Sequence, residues 1–175
     1  MKLIMHFFSI IILCSCISQH KEQVFEDDNL WNALIFSNQI EVPIYNNTDR
    51  NEILIFIKND TLTEDYFLIE VIENRNGMAK INAVSGLSRN EIITGWIDIN
   101  FLGIYTRPRN DIGSVPIYQM PNENRVIFDL NTNKILKIID IINKWFKITN
   151  SENGVVKDGW LSPSYQCPNP YSTCN

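Results

Sequence analysis

The tetrapeptide Val-Pro-Ile-Tyr occurs twice in this chain, at Val42–Tyr45 and at Val115–Tyr118. Each copy is followed by an Asn-rich break and then by a short apolar run, EILIFI in the first case and RVIFDL in the second. Two further pairs of segments align in the same order, residues 78–81 with 145–148 and residues 95–97 with 159–161. A fixed order of matching segments indicates a duplicated structural unit, and this duplication constrains the fold more than any other feature.

The segments of both copies are typical of β-strands. They are short, rich in Ile, Val and aromatic residues, and bounded by Asn, Asp or Gly. The two copies differ in length only in predicted turns, which a duplicated β unit tolerates. A unit of this size has a marginal core, so we expect the two to pack together. The sequence therefore predicts an all-β fold with two tandem units, residues 39–106 and 107–175.

Proline and tryptophan indicate where some strands should lie. Pro43 and Pro116 have no amide hydrogen to donate, so we expect their strands at a sheet edge or at the start of a sheet. A glycine precedes both Trp96 and Trp160, where it allows the backbone to bend closely. We expect these two tryptophans, and Trp145 as well, to fill the core.

The first residues are typical of an export signal. Residues 1–15 contain one positive charge, Lys2, and an apolar stretch too short to span a bilayer, which needs about 20 residues. Ser15 directly precedes Cys16, and Leu13 lies three residues before it. This pattern resembles the lipobox of bacterial lipoproteins, which implies that Cys16 carries a lipid and becomes the mature N-terminus. The alternative is a secreted protein cleaved nearby.

The segment after the predicted lipidation site is expected to be a tether. Residues 16–38 begin with a polar, acidic stretch. Leu30 and Leu34 then stand at helical spacing, after Asp and Asn residues that could cap a helix. We predict a short helix there, with a strand as the open alternative.

Charge excludes one class of partner. The chain has 15 Lys and Arg against 20 Asp and Glu, a net charge of −5, and loss of Lys2 with the leader makes it −6. Nucleic-acid binding requires clustered basic residues that neutralise phosphates. We therefore expect no nucleic-acid partner.

Two cysteines remain beyond the predicted anchor, Cys167 and Cys174, with Pro168 and Pro170 between them. Export to an oxidising compartment permits disulfides, so we expect these two to be bonded. A metal site is the alternative, but no histidine or third cysteine lies nearby to complete one. We predict no metal and no cofactor.

The aligned segments resemble the bacterial SH3-like (SH3b) domain. The second copy, residues 113–167, has its early VPIY, its KWFKI and its closing DGWL. The first copy, about residues 39–105, departs by having Met78 in place of the middle tryptophan and by longer turns. With the leader and the cysteine-bearing tail, the chain resembles small SH3-domain lipoproteins of the Bacteroidetes. The resemblance implies two tandem small SH3-like β-barrels that follow the signal peptide and the tether.

The sequence shows no constellation of catalytic residues. His6 lies in the leader and His20 in the tether, so the predicted folded region has no histidine as a general base. No phosphate-binding glycine loop or nucleophile elbow occurs. A carboxylate pair of the glycosidase type is the remaining option, from Glu70, Glu73, Asp98 and Asp140. We interpret these as solvent-side charges and predict that the protein is not an enzyme.

The SH3-like resemblance implies ligand binding on an aromatic-lined groove between loops. Tyrosines offer flat apolar faces with one hydroxyl each, and arginine binds carboxylates. The predicted ligand-binding residues are Tyr45, Tyr105, Arg107, Tyr118 and Tyr165, with Tyr171 and Arg109 as further candidates. The alternative is that these tyrosines only cover the ends of the barrels.

We therefore expect a non-enzymatic envelope lipoprotein that is anchored to the outer membrane, with the periplasmic face favoured. Its tandem domains would bind a cell-wall peptide or glycan, or an envelope protein. The alternative is a periplasmic immunity or inhibitor protein that caps a toxin or lytic enzyme, since an acidic protein attracts a basic partner. A scaffold that serves only assembly is the third hypothesis.

Overall fold

The fold is all-β, as predicted. The computed structural model describes residues 32–36, 41–60, 62–63, 65–87, 91–108, 113–122, 124–131, 134–152 and 154–167. Its strands are β1 (Ala33–Ile35), β2 (Val42–Tyr45), β3 (Ile53–Ile57), β4 (Phe67–Arg75), β5 (Met78–Ser85), β6 (Ile93–Asp98), β7 (Leu102–Thr106), β8 (Val115–Tyr118), β9 (Val126–Leu130), β10 (Ile135–Ile142), β11 (Trp145–Glu152), β12 (Val155–Leu161) and β13 (Gln166–Cys167). Two 3-10 helices, Ile99–Phe101 and Pro163–Tyr165, precede β7 and β13. These described residues contain no α-helix.

The strands form one open sheet in which every ladder is antiparallel. Their order is β3-β2-β6-β5-β4-β1-β7-β10-β11-β12-β8-β9, and β13 pairs with β7 beside this path. Strands β3 and β9 therefore lie at the two ends of the sheet.

The pairing order shows the duplication directly. We call β1–β7 unit 1 and β7–β13 unit 2. In unit 1, the first strand (β1) pairs with the fourth (β4) and the last (β7). The second strand (β2) pairs with the third (β3) and the sixth (β6), and the fifth (β5) pairs with the fourth (β4) and the sixth (β6). Unit 2 repeats every one of these pairings. Strand β7 belongs to both units, because it closes the first and opens the second.

Local irregularities recur at equivalent positions of the two units. Each second–third strand pair has a register shift at the Ile-Tyr step, and each fourth–fifth pair has one before its hairpin. Each of these hairpins turns through two residues with positive φ, Asn76 and Gly77 in unit 1 and Asn143 and Lys144 in unit 2. Positive φ at both central positions is the type I′ geometry, which matches the twist of the flanking strands.

The two predicted Gly-Trp steps are also equivalent. Gly95 on β6 and Gly159 on β12 each lie against the second strand of their own unit, where a Cβ would collide with an isoleucine side chain, Ile44 or Ile117. Only glycine allows the two backbones to approach this closely. These glycines therefore allow β6 to pack closely against β2 in unit 1, and β12 against β8 in unit 2.

The core combines residues from both units. Buried side chains alternate along β2, β5, β8 and β11, as expected for strands with one face packed and the other toward solvent. One contiguous hydrophobic cluster includes Ile35, Ile44 and Ile81 from unit 1 together with Ile117 and Phe146 from unit 2. The two units therefore share one hydrophobic core.

The short helix predicted within residues 16–38 is wrong where the structure describes that segment. Ala33–Ile35 form strand β1, which pairs with β4 on one side and β7 on the other. All three residues are completely buried. A segment held between two strands satisfies its backbone through the ladders, and this outweighs the helical spacing of its leucines.

The chain deviates from two free-standing units at their junction. The predicted boundary between residues 106 and 107 falls at the end of β7, which is paired to both units. Pro43 and Pro116 are not on the outermost strands, since β2 and β8 lie one strand in from the ends. Pairing of β2 with β6 is confined to Tyr45, and pairing of β8 with β12 to Ile117 and Tyr118, so both prolines lie outside these ladders.

Candidate functional site

Unit 2 gathers four aromatic side chains. Tyr118 at the end of β8 pairs directly with Trp160 on β12, so their side chains are neighbours on one face. Trp145 begins β11 after the hairpin, and Tyr165 ends the second 3-10 helix. We call Tyr118, Trp145, Trp160 and Tyr165 the unit-2 aromatic cluster.

The cluster has a defined geometry. The rings of Tyr118 and Trp145 meet edge to face, with centroids 5.4 Å apart and an interplanar angle of 83°. This arrangement places the positive edge of one ring against the negative face of the other, which stabilises the pair. Trp160 is buried, whereas Tyr118, Trp145 and Tyr165 are half-buried. The cluster therefore has a fixed base and offers aromatic surface to solvent.

The surroundings of Tyr118 shift the pKa of its hydroxyl upward. Burial raises the pKa of Tyr118 above its ordinary value of 10.0, and the nearby hydroxyl of Tyr165 and carboxylate of Asp129 raise it further. A protonated phenol both donates and accepts hydrogen bonds. At neutral pH the cluster thus combines apolar faces with a hydroxyl able to orient a ligand.

The 3-10 helix sets the position of Tyr165. The Ser162 side chain accepts a hydrogen bond from the Ser164 amide, and the Tyr165 amide donates to the Ser162 carbonyl at 3.0 Å. The Arg107 amide donates to the Tyr165 carbonyl at 3.3 Å. Arg107 and Tyr165 are therefore adjacent through their backbones, and Tyr165 is near enough to Tyr118 to affect the pKa of that residue.

The other predicted site residues lie elsewhere. Tyr45 belongs to unit 1, where it occupies the position of Tyr118 and pairs with Trp96. Tyr105 is on β7, between Ile135 and Cys167 of the neighbouring strands. The structure does not gather the five predicted ligand-binding residues into one surface.

Unit 1 has a different surface at the equivalent place. Its counterparts of Tyr118, Trp145, Trp160 and Tyr165 are Tyr45, Met78, Trp96 and Phe101. Arg50, from the turn between β2 and β3, lies over Met78 with its Nε 3.2 Å from the sulfur. Its Nη2 forms an ion pair with Asp98 at 2.7 Å.

A cleft of about 700 Å³ lies where the β4–β5 and β10–β11 hairpins meet. Asn74 bridges the units there, since its Nδ2 donates to the Ile141 carbonyl at 2.6 Å. Val71, Glu73 and Lys144 are also among the residues that line it. The cleft is open and mixed in polarity, and sequence reasoning did not predict it, because it depends on how β4 and β10 are brought together.

The described part of the chain bears on the metal-site and carboxylate-pair alternatives. There, no three His, Cys, Asp or Glu residues are arranged to hold a metal ion. Every buried side-chain nitrogen or oxygen there has a hydrogen-bond partner. Two of the carboxylates considered for catalysis have structural partners: Asp98 pairs with Arg50 and Glu70 accepts from Asn82 at 2.8 Å.

Several predicted features lie outside the described residues. These are the leader, the lipidation site Cys16, and the candidates Arg109, Tyr171 and Cys174. Cys167 is buried and disulfide-bonded. Among the described residues, no helix has the length and apolar character needed to cross a bilayer.

Trp145 is the site residue that sequence reasoning misplaced. It was expected in the core, but it is half-buried on the outer face, as is Trp96, while Trp160 is buried as predicted. The alternation in KWFKIT contained the signal, because Phe146 and Ile148 take the core face and leave Trp145 with Lys147 on the other. No pattern in the sequence indicated that Arg50 contacts Met78 and Asp98.

Comparisons with known proteins identify no relative. No protein-family model matches the chain, and neither the curated proteins nor the solved structures include a significant match.

Proposed function

We propose that this protein is a non-enzymatic, lipid-anchored envelope protein whose two SH3-like units bind a cell-wall peptide or glycan, or an envelope protein. The unit-2 aromatic cluster is the binding surface. The observation that carries the proposal is the pair of half-buried rings of Tyr118 and Trp145, which meet edge to face, with Tyr118 paired to buried Trp160. Aromatic surface on a rigid base with a few polar groups is the usual make-up of a recognition site.

The SH3-like interpretation is supported by the repeated strand order. Each unit places a short 3-10 helix before its last strand, and each has the same Gly-Trp step packed against its second strand. In this proposal each unit is a small SH3-like module, and the continuous sheet results from their joint use of β7. A shared fold is weak ground for a ligand, so the binding surface is argued from its residues.

The lipid anchor is proposed from the sequence around Cys16. Lipid attached there, followed by residues of the tether, would hold the units at the membrane surface. Metabolic labelling with a fatty-acid analogue tests this, because wild-type protein should incorporate the label and Cys16→Ala should not. Labelling that persists in Cys16→Ala would contradict the assignment of that cysteine.

Capture experiments test the binding surface. We expect wild-type protein to be retained on purified peptidoglycan or to co-purify with an envelope protein, and Trp145→Ala to weaken that interaction by about tenfold, as for a central aromatic contact. Met78→Leu at the equivalent position of unit 1 is the matched control and should bind as wild type. Equal binding by wild type and Trp145→Ala would reject the proposed surface.

The immunity or inhibitor function is the second candidate, and the exposed end strand β3 favours it. Ile53, Leu54, Ile55 and Phe56 are four consecutive exposed apolar residues. Among the described residues, β3 pairs only with β2, so one edge is available for a partner strand. Co-purification of a basic toxin or lytic enzyme, lost in Phe56→Lys but kept in Trp145→Ala, would favour this function over the first.

A further inference from the structure

We propose that the unit-2 aromatic cluster binds a cationic side chain, an arginine, supplied by a protein partner. This inference rests on the proposed binding function and adds the chemical class of the ligand. It comes from comparing equivalent positions of the two units, one of which holds a guanidinium group from its own chain.

The equivalence is set by the ladders. Met78 and Trp145 are each the first residue of the strand that follows the two-residue hairpin turn. Asp98 and Ser162 are each the N-cap of the 3-10 helix in their unit. The surface beside Met78 and Asp98 in unit 1 therefore corresponds to the surface beside Trp145 and Ser162 in unit 2.

In unit 1 this place is occupied by Arg50. Its guanidinium contacts the Met78 sulfur through Nε at 3.2 Å and the Asp98 carboxylate through Nη2 at 2.7 Å. The Asp98 carboxylate also accepts from the Asn100 amide at 2.9 Å. Arg50, from the turn between β2 and β3, thus lies beside Met78 and neutralises the charge of the Asp98 carboxylate.

In unit 2 the sequence has no arginine at the position of Arg50. The turn between β8 and β9 has the same length as that between β2 and β3, since Gln119 bonds to Arg125 as Asn46 bonds to Glu52. The residue at the sequence position of Arg50 is Glu123, which lies outside the described residues.

The chemistry of unit 2 suits a cation from outside. Trp145 replaces Met78, and an indole face attracts a guanidinium through its quadrupole. Asp129 is close enough to Tyr118 to raise the pKa of that phenol, so its negative charge also acts at the cluster. The net charge of −5 favours the approach of a basic partner.

Titration with small cations tests the inference. The probes are Nα-acetyl-L-argininamide and its neutral isostere Nα-acetyl-L-citrullinamide, followed through the indole Nε1–H signal of Trp145 by NMR. We expect the arginine probe to shift that signal with a Kd about threefold or more below that of the citrulline probe. Equal Kd values for the two probes would overturn the inference.

Two variants make the test specific. Trp145→Met gives unit 2 the residue of unit 1, so its titration and a wild-type reference are followed through the Tyr165 amide signal. The variant should bind the arginine probe about threefold more weakly than wild type. Met78→Leu is the matched control in unit 1 and should leave that Kd unchanged. A Kd that is unchanged in Trp145→Met would place the probe elsewhere and overturn the assignment.

The variant Arg50→Ala tests whether the place beside Asp98 in unit 1 binds a guanidinium group from solution. In Arg50→Ala, methylguanidinium chloride should shift the Asn100 amide signal, because it would fill the vacated place beside Asp98. The same probe should not shift this signal in the wild-type protein. If the Asn100 amide signal does not shift in Arg50→Ala, the unit-1 place does not bind a free guanidinium group, and the inference for unit 2 fails.

The outcomes separate this inference from the proposed function. If Trp145→Ala loses its envelope target while the charged and neutral probes bind alike, the cationic ligand is excluded and the binding function stands. If neither the target nor the probes depend on Trp145, both are rejected. A lysine probe, Nα-acetyl-L-lysinamide, that binds threefold tighter than the arginine probe would overturn the guanidinium assignment in favour of an ammonium group.

Discussion

Lys144 occupies a backbone conformation that its counterpart in unit 1 fills with glycine. It is the second turn residue of the β10–β11 hairpin with φ 67°, and Gly77 at the same place in unit 1 has φ 73°. A side chain at positive φ crowds its own backbone, at a cost of about 1–2 kcal/mol. Duplication therefore provides two nearly identical turns that differ in one source of strain.

Exchanging these two residues should move stability in opposite directions. Lys144→Gly should raise the free energy of unfolding by about 1 kcal/mol, because the strain is relieved. Gly77→Lys should lower it by a similar amount, since a Cβ at Gly77 meets no atom within 4 Å and only the φ angle opposes it. Urea denaturation measures both. A loss of stability in Lys144→Gly would contradict the strain argument.

The raised pKa of Tyr118 predicts that the stability of the folded protein depends on pH under alkaline conditions. Its pKa is raised above 10.0 in the folded protein, first by burial. The folded state therefore holds this proton at pH values where the unfolded state has lost it. The associated stability is fully present below pH 10 and is lost as the pH rises through the folded pKa.

The variant Tyr118→Phe isolates this effect. Wild type should lose stability above pH 10 more steeply than Tyr118→Phe, because the variant has no phenol to titrate at that position. Thermal unfolding at a series of pH values measures the difference, with Tyr45→Phe as the control in unit 1. Parallel alkaline profiles for wild type and Tyr118→Phe would contradict the prediction.

At the scale of elements, the close contact between the last hairpin and the second strand defines each unit. Gly159 packs under Ile117 and Gly95 packs under Ile44, and a Cβ at either glycine would collide with that side chain. The Trp that follows each glycine pairs with the Tyr that follows each isoleucine. These contacts couple the core to the outer face, so the position of Tyr118 depends on Gly159.

Alanine at Gly159 should therefore destabilise the protein and disturb the aromatic cluster together. We expect a loss of about 1–3 kcal/mol, typical of an overpacked core, with a changed near-ultraviolet circular dichroism signal from the cluster. Gly113→Ala is the matched control, since nothing lies within 4 Å of a Cβ there and its φ is not positive. Equal stability of the two variants would contradict the packing argument.

At the scale of the whole molecule, the two units are one structure. Strand β7 supplies the last strand of unit 1 and the first of unit 2, and one hydrophobic cluster contains residues from both. Asn74 adds a side-chain hydrogen bond from unit 1 to unit 2. Unfolding either unit would expose the shared core and leave one side of β7 unpaired.

The protein should therefore unfold in one cooperative transition. Gly95→Ala in unit 1 and Gly159→Ala in unit 2 should each shift the same single urea transition, with an unchanged m-value. Far-ultraviolet circular dichroism and tryptophan fluorescence should give coincident curves. Two separate transitions, each moved by only one of the variants, would show that the units are independent.

Local patterns in the sequence were enough to predict the duplication and most of the strands, but not β1, β7 or β13. Alternating apolar residues, Gly-Trp steps and Asn-rich turns depend on neighbouring residues, so the segments matched from sequence occupy equivalent ladder positions in both units. Trp160 in a buried position and the all-β class follow from the same local rules.

What only the tertiary structure decided concerns contacts between segments far apart in the chain. Long-range pairing decides that β1 is a strand instead of the expected helix and that β7 belongs to both units. It also decides that Trp145 is half-buried and where Arg50 lies. Backbone groups in these segments gain their hydrogen-bond partners only when distant strands meet, and side-chain surroundings are set at the same time. The sequence by itself thus determines most of the strands in each unit, and the fold determines how the units join and which aromatic side chains reach the surface.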